Sequence, residues 1–447
     1  MTKLSKEAVG SIVDDFAGAE LGDPRRTKRV LKILDKLARQ PAASLPAVLG
    51  DEADVEGAYR LMNSAKVDFS LLQNAHALAT SQRAKEVGNV LVLHDTTPCS
   101  FPYLSPEEIG YLPTGKAGFL LHLSLVIDGG VWRRPLGIIH AEALSRANRS
   151  RQGRRKSKVS GSETAKQHDR EFLRWRRGMK ASSDALAHCQ RVVHVADREG
   201  DSYELMSELL AEQQRFIIRV RVDRRGNEIG TGTSEWSTVK QVAAGCDGLV
   251  EREVPLSRRR QKSAPGMNTA HPPRNKRLAK LRFAATKIVI PRPQYLRDPV
   301  PSTLEIGLVH VIEIDAPSGD VPVEWFLYTT EPIDTADQVT GVVDDYRARW
   351  TIEEFNSALK TGCAYEARQF ETRHALMTML ALSLPIACEV LWLRSRARSH
   401  GAGDGSANIA SGPGVALPRP TQTLCSPNRP GCVARGRRTR RPLEVQR

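Results

Sequence analysis

Two short apolar runs, each closed by an aspartate, constrain this chain more than anything else in it. Asn89–His94 reads NVLVLH and leads into Asp95-Thr96-Thr97; Arg191–Ala196 reads RVVHVA and leads into Asp197-Arg198-Glu199. Runs of this length, rich in branched side chains, are expected as buried strands. Phe119–Ile127 and Leu136–His140 are further strands, separated by the turn signal Asp128-Gly129-Gly130. Glu163–Ala187 and Ser202–Glu212 read as helices and Phe216–Val222 as another strand. Strands interleaved with helices predict an α/β fold. A carboxylate at the end of such a strand emerges at the sheet edge, where ligand sites of α/β folds lie. A strand-end aspartate is equally at home as a plain turn residue.

The flanking regions differ in pattern. Residues 1–85 read as helical: Asp23-Pro24 is a helix start, and Val30, Ile33, Leu34 and Leu37 follow at helical spacing. That helix carries Arg25, Arg26, Lys28, Arg29, Lys32 and Lys36. Shorter helical patterns cover Val55–Met62 and Ser70–Leu78. Residues 223–332 are β-rich, with the better strands at Leu281–Pro291, Leu304–Ile314 and Trp325–Thr329. Helical periodicity returns over Thr335–Lys360 and Arg373–Leu393. The expected organisation is an N-terminal helical domain (1–85), a mixed core (86–222 and 333–397), a β-rich insertion (223–332) and a basic disordered tail (398–447).

Lys and Arg number 66 against 51 Asp and Glu, a net charge of +15, which favours an anionic partner such as nucleic acid. Arg146–Lys158 holds seven positive charges and no acid, a pattern fit for gripping phosphates without reading sequence. No uninterrupted apolar run approaches the ~18–20 residues of a membrane span. Seven scattered cysteines with no C-x-x-C pair argue against a disulfide framework and a zinc site, and the expected location is the reducing cytoplasm. From Ser399 onward the chain has no Lys, Phe, Trp or Tyr but eight Arg. That abrupt change reads either as a natural basic tail or as a shifted reading frame.

Tyr346, Arg349, Glu353 and Lys360 have offsets of 0, 3, 7 and 14. On one continuous helix at about 100° per residue they form a polar stripe, opposite a core face of Ile352, Phe355 and Leu359. A solvated salt-bridged face produces a similar stripe. Two strand-end aspartates and a helix-borne glutamate supply what a two-Mg²⁺ phosphoryl-transfer site needs: hard oxygen ligands for Mg²⁺ or Mn²⁺. Arg349 and Lys360 would hold phosphates beside them.

These residues resemble the bacterial cut-and-paste DDE transposases of the transposon-five type. The resemblance rests on LGDPRRTKR (Leu21–Arg29), EGAYRLM (Glu56–Met62), HDTT (His94–Thr97), DREGDSYEL (Asp197–Leu205) and Y-x2-R-x3-E-x6-K (Tyr346, Arg349, Glu353, Lys360), in that order. It implies a ribonuclease H-like catalytic core with an inserted β-rich domain and an N-terminal helical DNA-binding domain. It implies Asp95, Asp197 and Glu353 as catalytic residues and ligands of two Mg²⁺ or Mn²⁺ ions. It implies nicking at a transposon end, hairpin formation and opening, and strand transfer into target DNA. Tyr346, Arg349 and Lys360 are then contacts to double-stranded transposon-end DNA. Trp325 is either a base-stacking residue for the hairpin step or a core strand residue. Arg25, Arg26 and Arg29 suit terminal-repeat binding, and Arg198 and Arg219 are weaker candidates for backbone contacts. His94, His122, His140 and His194 are assigned no role.

The family continues past residue 398 with a helical segment for the homodimer that pairs two ends, and this chain shows no such pattern there. Three functions therefore remain: a transposase, defective if the frame is broken; a catalytically incompetent DNA-binding remnant that competes for transposon ends; and a ribonuclease H-like nuclease with no part in transposition.

Overall fold

The N-terminal helices follow from their caps and apolar spacing. In α1 (Pro24–Arg39) the Asp23 carboxylate accepts from Arg25 N at 2.8 Å, Pro24 opens the first turn, and Val30, Ile33, Leu34 and Leu37 are buried. Ser44, Asp51 and Asp68 cap α2 (Leu45–Leu49), α3 (Glu52–Met62) and α4 (Phe69–Val87) in the same way. The structure, a computed structural model, describes residues 12–146, 172–230, 235–259, 273–296 and 299–401. The arginine-rich run after Arg146, the expected helix start at Glu163, positions 260–272 and the tail beyond 401 lie outside the described residues.

The central sheet begins with β1 (Asn89–Ser100), β2 (Gly118–Asp128) and β3 (Pro135–Leu144). It continues, after α5 (Leu173–Ala185), with β4 (Arg191–Ala196) and, after α6 (Tyr203–Ala211), with β5 (Arg215–Arg219). Beyond these come β6 (Arg225–Glu228), β7 (Ser237–Thr238), β8 (Gly248–Leu256), β9 (Arg277–Pro291), β10 (Thr303–Ile314) and β11 (Glu324–Thr329). All join one 11-stranded sheet in the order β3-β2-β1-β4-β5-β11-β10-β9-β6-β7, with β8 paired to β9. The β-rich stretch 223–332 thus extends the central sheet through the antiparallel β5–β11 pair. β1 is parallel to β4 and antiparallel to β2. Its apolar run is continuous because both faces are covered: Leu91 and Leu93 enter one core, Val90 and Val92 another.

The closing helices depart from the expected single stripe. α7 (Ala336–Arg347) ends at Ala348, and α8 (Trp350–Ser357) restarts after a tight turn in which Arg349 N bonds Tyr346 O and Ile352 N bonds Arg349 O. Residues Ala358–Gly362 then widen into a π turn, closed by Cys363 N to Ala358 O at 2.8 Å. Tyr346, Glu353 and Lys360 therefore sit on three helical pieces, with Arg349 in the turn between the first two, and angles from one ideal helix do not hold. α7 is pinned by a buried carboxylate: Asp345 accepts from Arg133 at 2.7 Å and from Arg191 at 2.8 Å.

α9 (Arg373–Gly401) corrects the expectation about apolar length. Over Arg373–Arg398 it is long and apolar enough to cross a bilayer, yet 78% of its most apolar window is buried within the protein. It packs on α4, β3 and the π turn, so its apolar surface belongs to the protein core.

Candidate active site

The parallel β1–β4 pairing sets Leu93 beside Val195 and His94 beside Ala196. The next residue on each side is an aspartate: Asp95, still within β1, and Asp197, the first residue past β4, its backbone still extended, where the two strands run about 4.8 Å apart. Side chains alternate across a sheet, so Asp95 shares a face with Leu91 and Leu93, and Asp197 with Val193 and Val195. All four of those apolar residues enter the same core, which also takes Ile352 and Phe355 of α8. The two aspartates and α8 therefore lie on one side of the sheet. The expected core face of Ile352, Phe355 and Leu359 is fully buried, and it seats the helix that carries Glu353.

Contacts and charge tie the three acids together. Asn356, one turn beyond Glu353, donates from Nδ2 to Asp95 Oδ2 at 2.9 Å. Arg349 Nη1 lies 3.3 Å from Glu353 Oε1. Asp197 caps the short turn Arg198–Gly200, its Oδ1 accepting from Glu199 N at 2.8 Å. Burial and then the Glu353 and Asp197 carboxylates push the Asp95 carboxyl up to about 7, with Arg349 opposing them. Burial works against the Arg349 guanidinium, but Tyr346, Asp95, Glu353 and Asp197 outweigh it and hold the charge more firmly than usual. Arg349 is the internal counter-cation of a carboxylate cluster.

Among the described residues, no three His, Cys, Asp or Glu side chains close into a compact metal-binding group. The donors nevertheless fit a hard divalent cation: three carboxylates on one side of a sheet, one of them reluctant to ionise because it is buried and the others are near. Asn356 Oδ1 adds a buried amide oxygen with no hydrogen-bond partner among the described residues.

The remaining predicted residues divide into three groups. Tyr346 is 5% exposed, its ring meeting Trp325 edge-on at 5.9 Å. Arg219 lies 6.0 Å over the Trp325 ring, and Trp325 is half-buried, packed against the core. Arg198 is exposed and electrostatically coupled to Arg219, Tyr346 and Asp197. Lys360, on the π turn, donates to Pro98 O of β1, three residues past Asp95. Arg25 and Arg29 are exposed on α1, whereas Arg26 spends a donor on Leu21 O at 2.8 Å. Arg29 crosses Gly57 of α3 so closely that a Cβ there would stand 1.2 Å from its Nη1.

Asn356 is the site residue that sequence reasoning missed, and its only signal was the three-residue spacing from Glu353. The histidines form an internal network behind the strand ends. Ser124 Oγ bonds His94 Nδ1 at 3.0 Å, His94 Nε2 bonds His194 Nδ1 at 2.9 Å, and His194 Nε2 bonds Ser183 Oγ at 2.9 Å. Burial keeps both imidazoles neutral, His194 being brought down to about 4.

Two family models match the chain. One, described as Transposase DNA-binding, covers residues 11–67, which include the basic helix α1. The other, described as Transposase DDE domain, covers residues 158–387, or 230 of the 447 residues. That match contains Asp197 and Glu353 and begins after Asp95, the residue that follows the last β1–β4 pair, His94 beside Ala196. A transposase DNA-binding segment is thus followed by a transposase DDE domain that spans more than half of the chain, and the chain belongs to the DDE transposases.

Proposed function

We propose that this chain is a cut-and-paste transposase of the transposon-five type, with a ribonuclease H-like core in which Asp95, Asp197 and Glu353 are the catalytic acids. The observation that supports the reading is that the parallel β1–β4 pairing, which ends with His94 beside Ala196, leads directly into Asp95 and Asp197, while α8, which carries Glu353, holds Asn356 against Asp95. The strand arrangement supports it further: among β1–β5, β1 lies in the middle, with β2 and β3 antiparallel on one side and β4 and β5 parallel on the other.

The acids would hold two Mg²⁺ or Mn²⁺ ions, which when bound activate the attacking oxygen and stabilise the leaving one. Asp95, ionising near pH 7, is ready to lose its proton to solvent in exchange for a cation at neutral pH. Arg349, charged and close to all three acids, offers its remaining donors to a DNA phosphate. Lys360 supplies a point charge beside β1. Trp325, flanked by Arg219 and Tyr346, presents a half-buried ring for stacking on a displaced base. Arg25, Arg29 and the helix they stand on read the transposon end.

The reaction proposed is nicking at the transposon end, hairpin formation and opening, and strand transfer, each an in-line phosphoryl transfer at one site. Glu353→Gln is expected to abolish metal-dependent nicking of a terminal-repeat duplex while leaving its binding intact. Binding of end DNA by the wild type without nicking at saturating Mg²⁺ or Mn²⁺ would replace this reading with that of an incompetent DNA-binding remnant. Cleavage without preference for the terminal repeat would replace it with a general nuclease.

A further inference from the structure

Asn356 stands on a helix that otherwise commits its inner face to apolar packing, between the buried Phe355 and Ala358. It is 7% exposed, so its amide is sealed from bulk water. One end of that amide is used: Nδ2 donates to Asp95 Oδ2 at 2.9 Å. The other end, Oδ1, has no partner among the described residues. Satisfying Asp95 takes only a donor at this position; the amide brings a buried acceptor as well, which the fold leaves without a protein partner among the described residues. A half-satisfied amide facing an acid of the candidate site is a feature that packing alone does not account for.

We propose that Asn356 is a positioning residue of the active site: its N–H end fixes the Asp95 carboxylate, and its Oδ1 accepts a hydrogen bond from a water molecule carried by the divalent cation that Asp95 binds. The inference rests on the assignment of Asp95 as a metal ligand. Acids that hold a cation are themselves held by hydrogen bonds, and removing such a support costs about 10–100-fold in metal affinity or activity. Asn356 has the right chemistry for both tasks, a donor for the carboxylate and an acceptor for water. With Asp95 ionised, only the N–H end of the amide can face it, which leaves Oδ1 for the second partner.

The test uses the full chain and Mn²⁺ itself as the probe. Mn²⁺ affinity is measured by electron paramagnetic resonance without DNA, beside thermal unfolding without metal and binding of a terminal-repeat duplex. Asn356→Leu is expected to stay folded, with a modestly lower melting point because Asp95 loses its donor, to bind the duplex equally well, and to lose about 10–100-fold in Mn²⁺ affinity, with a parallel loss in nicking. Asn356→Gln, which keeps both ends of the amide, is expected to recover part of that loss. If the leucine variant does not fold, Asn356→Ala carries the same measurements. Wild-type Mn²⁺ affinity in a folded leucine or alanine variant overturns the inference, as does weakened duplex binding with Mn²⁺ affinity unchanged. Asp95→Asn separates the assignment of Asp95 from the role of Asn356. If it leaves Mn²⁺ affinity unchanged, the assignment of Asp95 fails; if it lowers the affinity and Asn356→Leu does not, only the role of Asn356 fails.

Discussion

Asp95→Asn should make the metal-free protein more stable while destroying its activity. Burial and the neighbouring Glu353 and Asp197 raise the Asp95 carboxyl from the ordinary 3.8 to about 7. A carboxyl raised on folding contributes its stability at low pH and loses it as pH climbs through the folded value. The unfolded chain ionises near 3.8, so the penalty grows from about pH 4 and levels off above about pH 7. The rise of about 3 units, at 1.36 kcal/mol per unit, sets the cost of holding Asp95 ionised at pH 8 at about 4 kcal/mol. Asparagine keeps the shape and an acceptor for Asn356 but carries no charge. Urea unfolding in EDTA should therefore show the variant about 4 kcal/mol more stable at pH 8, shrinking to under about 2 kcal/mol at pH 5. The buried His194, brought down to about 4, acts in the opposite sense, losing stability as pH falls below about 6.5. Reading the difference between variant and wild type at each pH removes that contribution. Saturating Mn²⁺ should add about 2.7 kcal/mol to the wild type at a hundred times Kd and nothing comparable to the variant. A variant no more stable than wild type at pH 8, or a gain that does not shrink at pH 5, would refute the idea that burial and the neighbouring carboxylates together hold Asp95 back from ionising.

Replacing Arg25 and Arg29 together by Ala should weaken end binding and lower the salt slope by roughly 0.9 for each phosphate no longer neutralised, read from affinity against log salt. Arg26→Ala should instead cost about 1 kcal/mol of stability through its bond to Leu21 O, with a smaller change in that slope. Gly57→Ala should displace the Arg29 guanidinium, whose Nη1 would lie 1.2 Å from the new Cβ, so duplex affinity should fall while the melting temperature moves little. Asp345→Ala should destabilise by about 3–5 kcal/mol in urea unfolding, because it strips Arg133 and Arg191 of a shared buried partner.

The parts of the fold governed by local chemistry were legible in the sequence. Asp23-Pro24 marks the start of α1, and the apolar spacing of Val30 to Leu37 names its buried face. The runs that became β1 and β4 declared themselves by length and branching, because strands covered on both faces must be apolar throughout. Their being neighbours was not legible, since pairing across about 100 residues leaves no local mark. The extension of the sheet by the β-rich stretch was hidden for the same reason. The Tyr346–Lys360 stripe misled because a helical projection assumes an unbroken helix, whereas the turn at Ala348 and the π turn at Ala358–Gly362 each rotate the residues beyond them. Tyr346, on the helix before both turns, is buried against Trp325. Asn356 escaped notice because a neutral amide has no charge pattern, and its meaning comes only from Asp95, 261 residues away.

Anomalous diffraction from crystals of the full chain grown with terminal-repeat DNA and Mn²⁺ bears most directly on the claim that Asp95, Asp197 and Glu353 form one metal site. Manganese peaks bound by all three carboxylates are the predicted result. Peaks bound elsewhere, or an Asp95 carboxylate that takes no part in binding them, would contradict it.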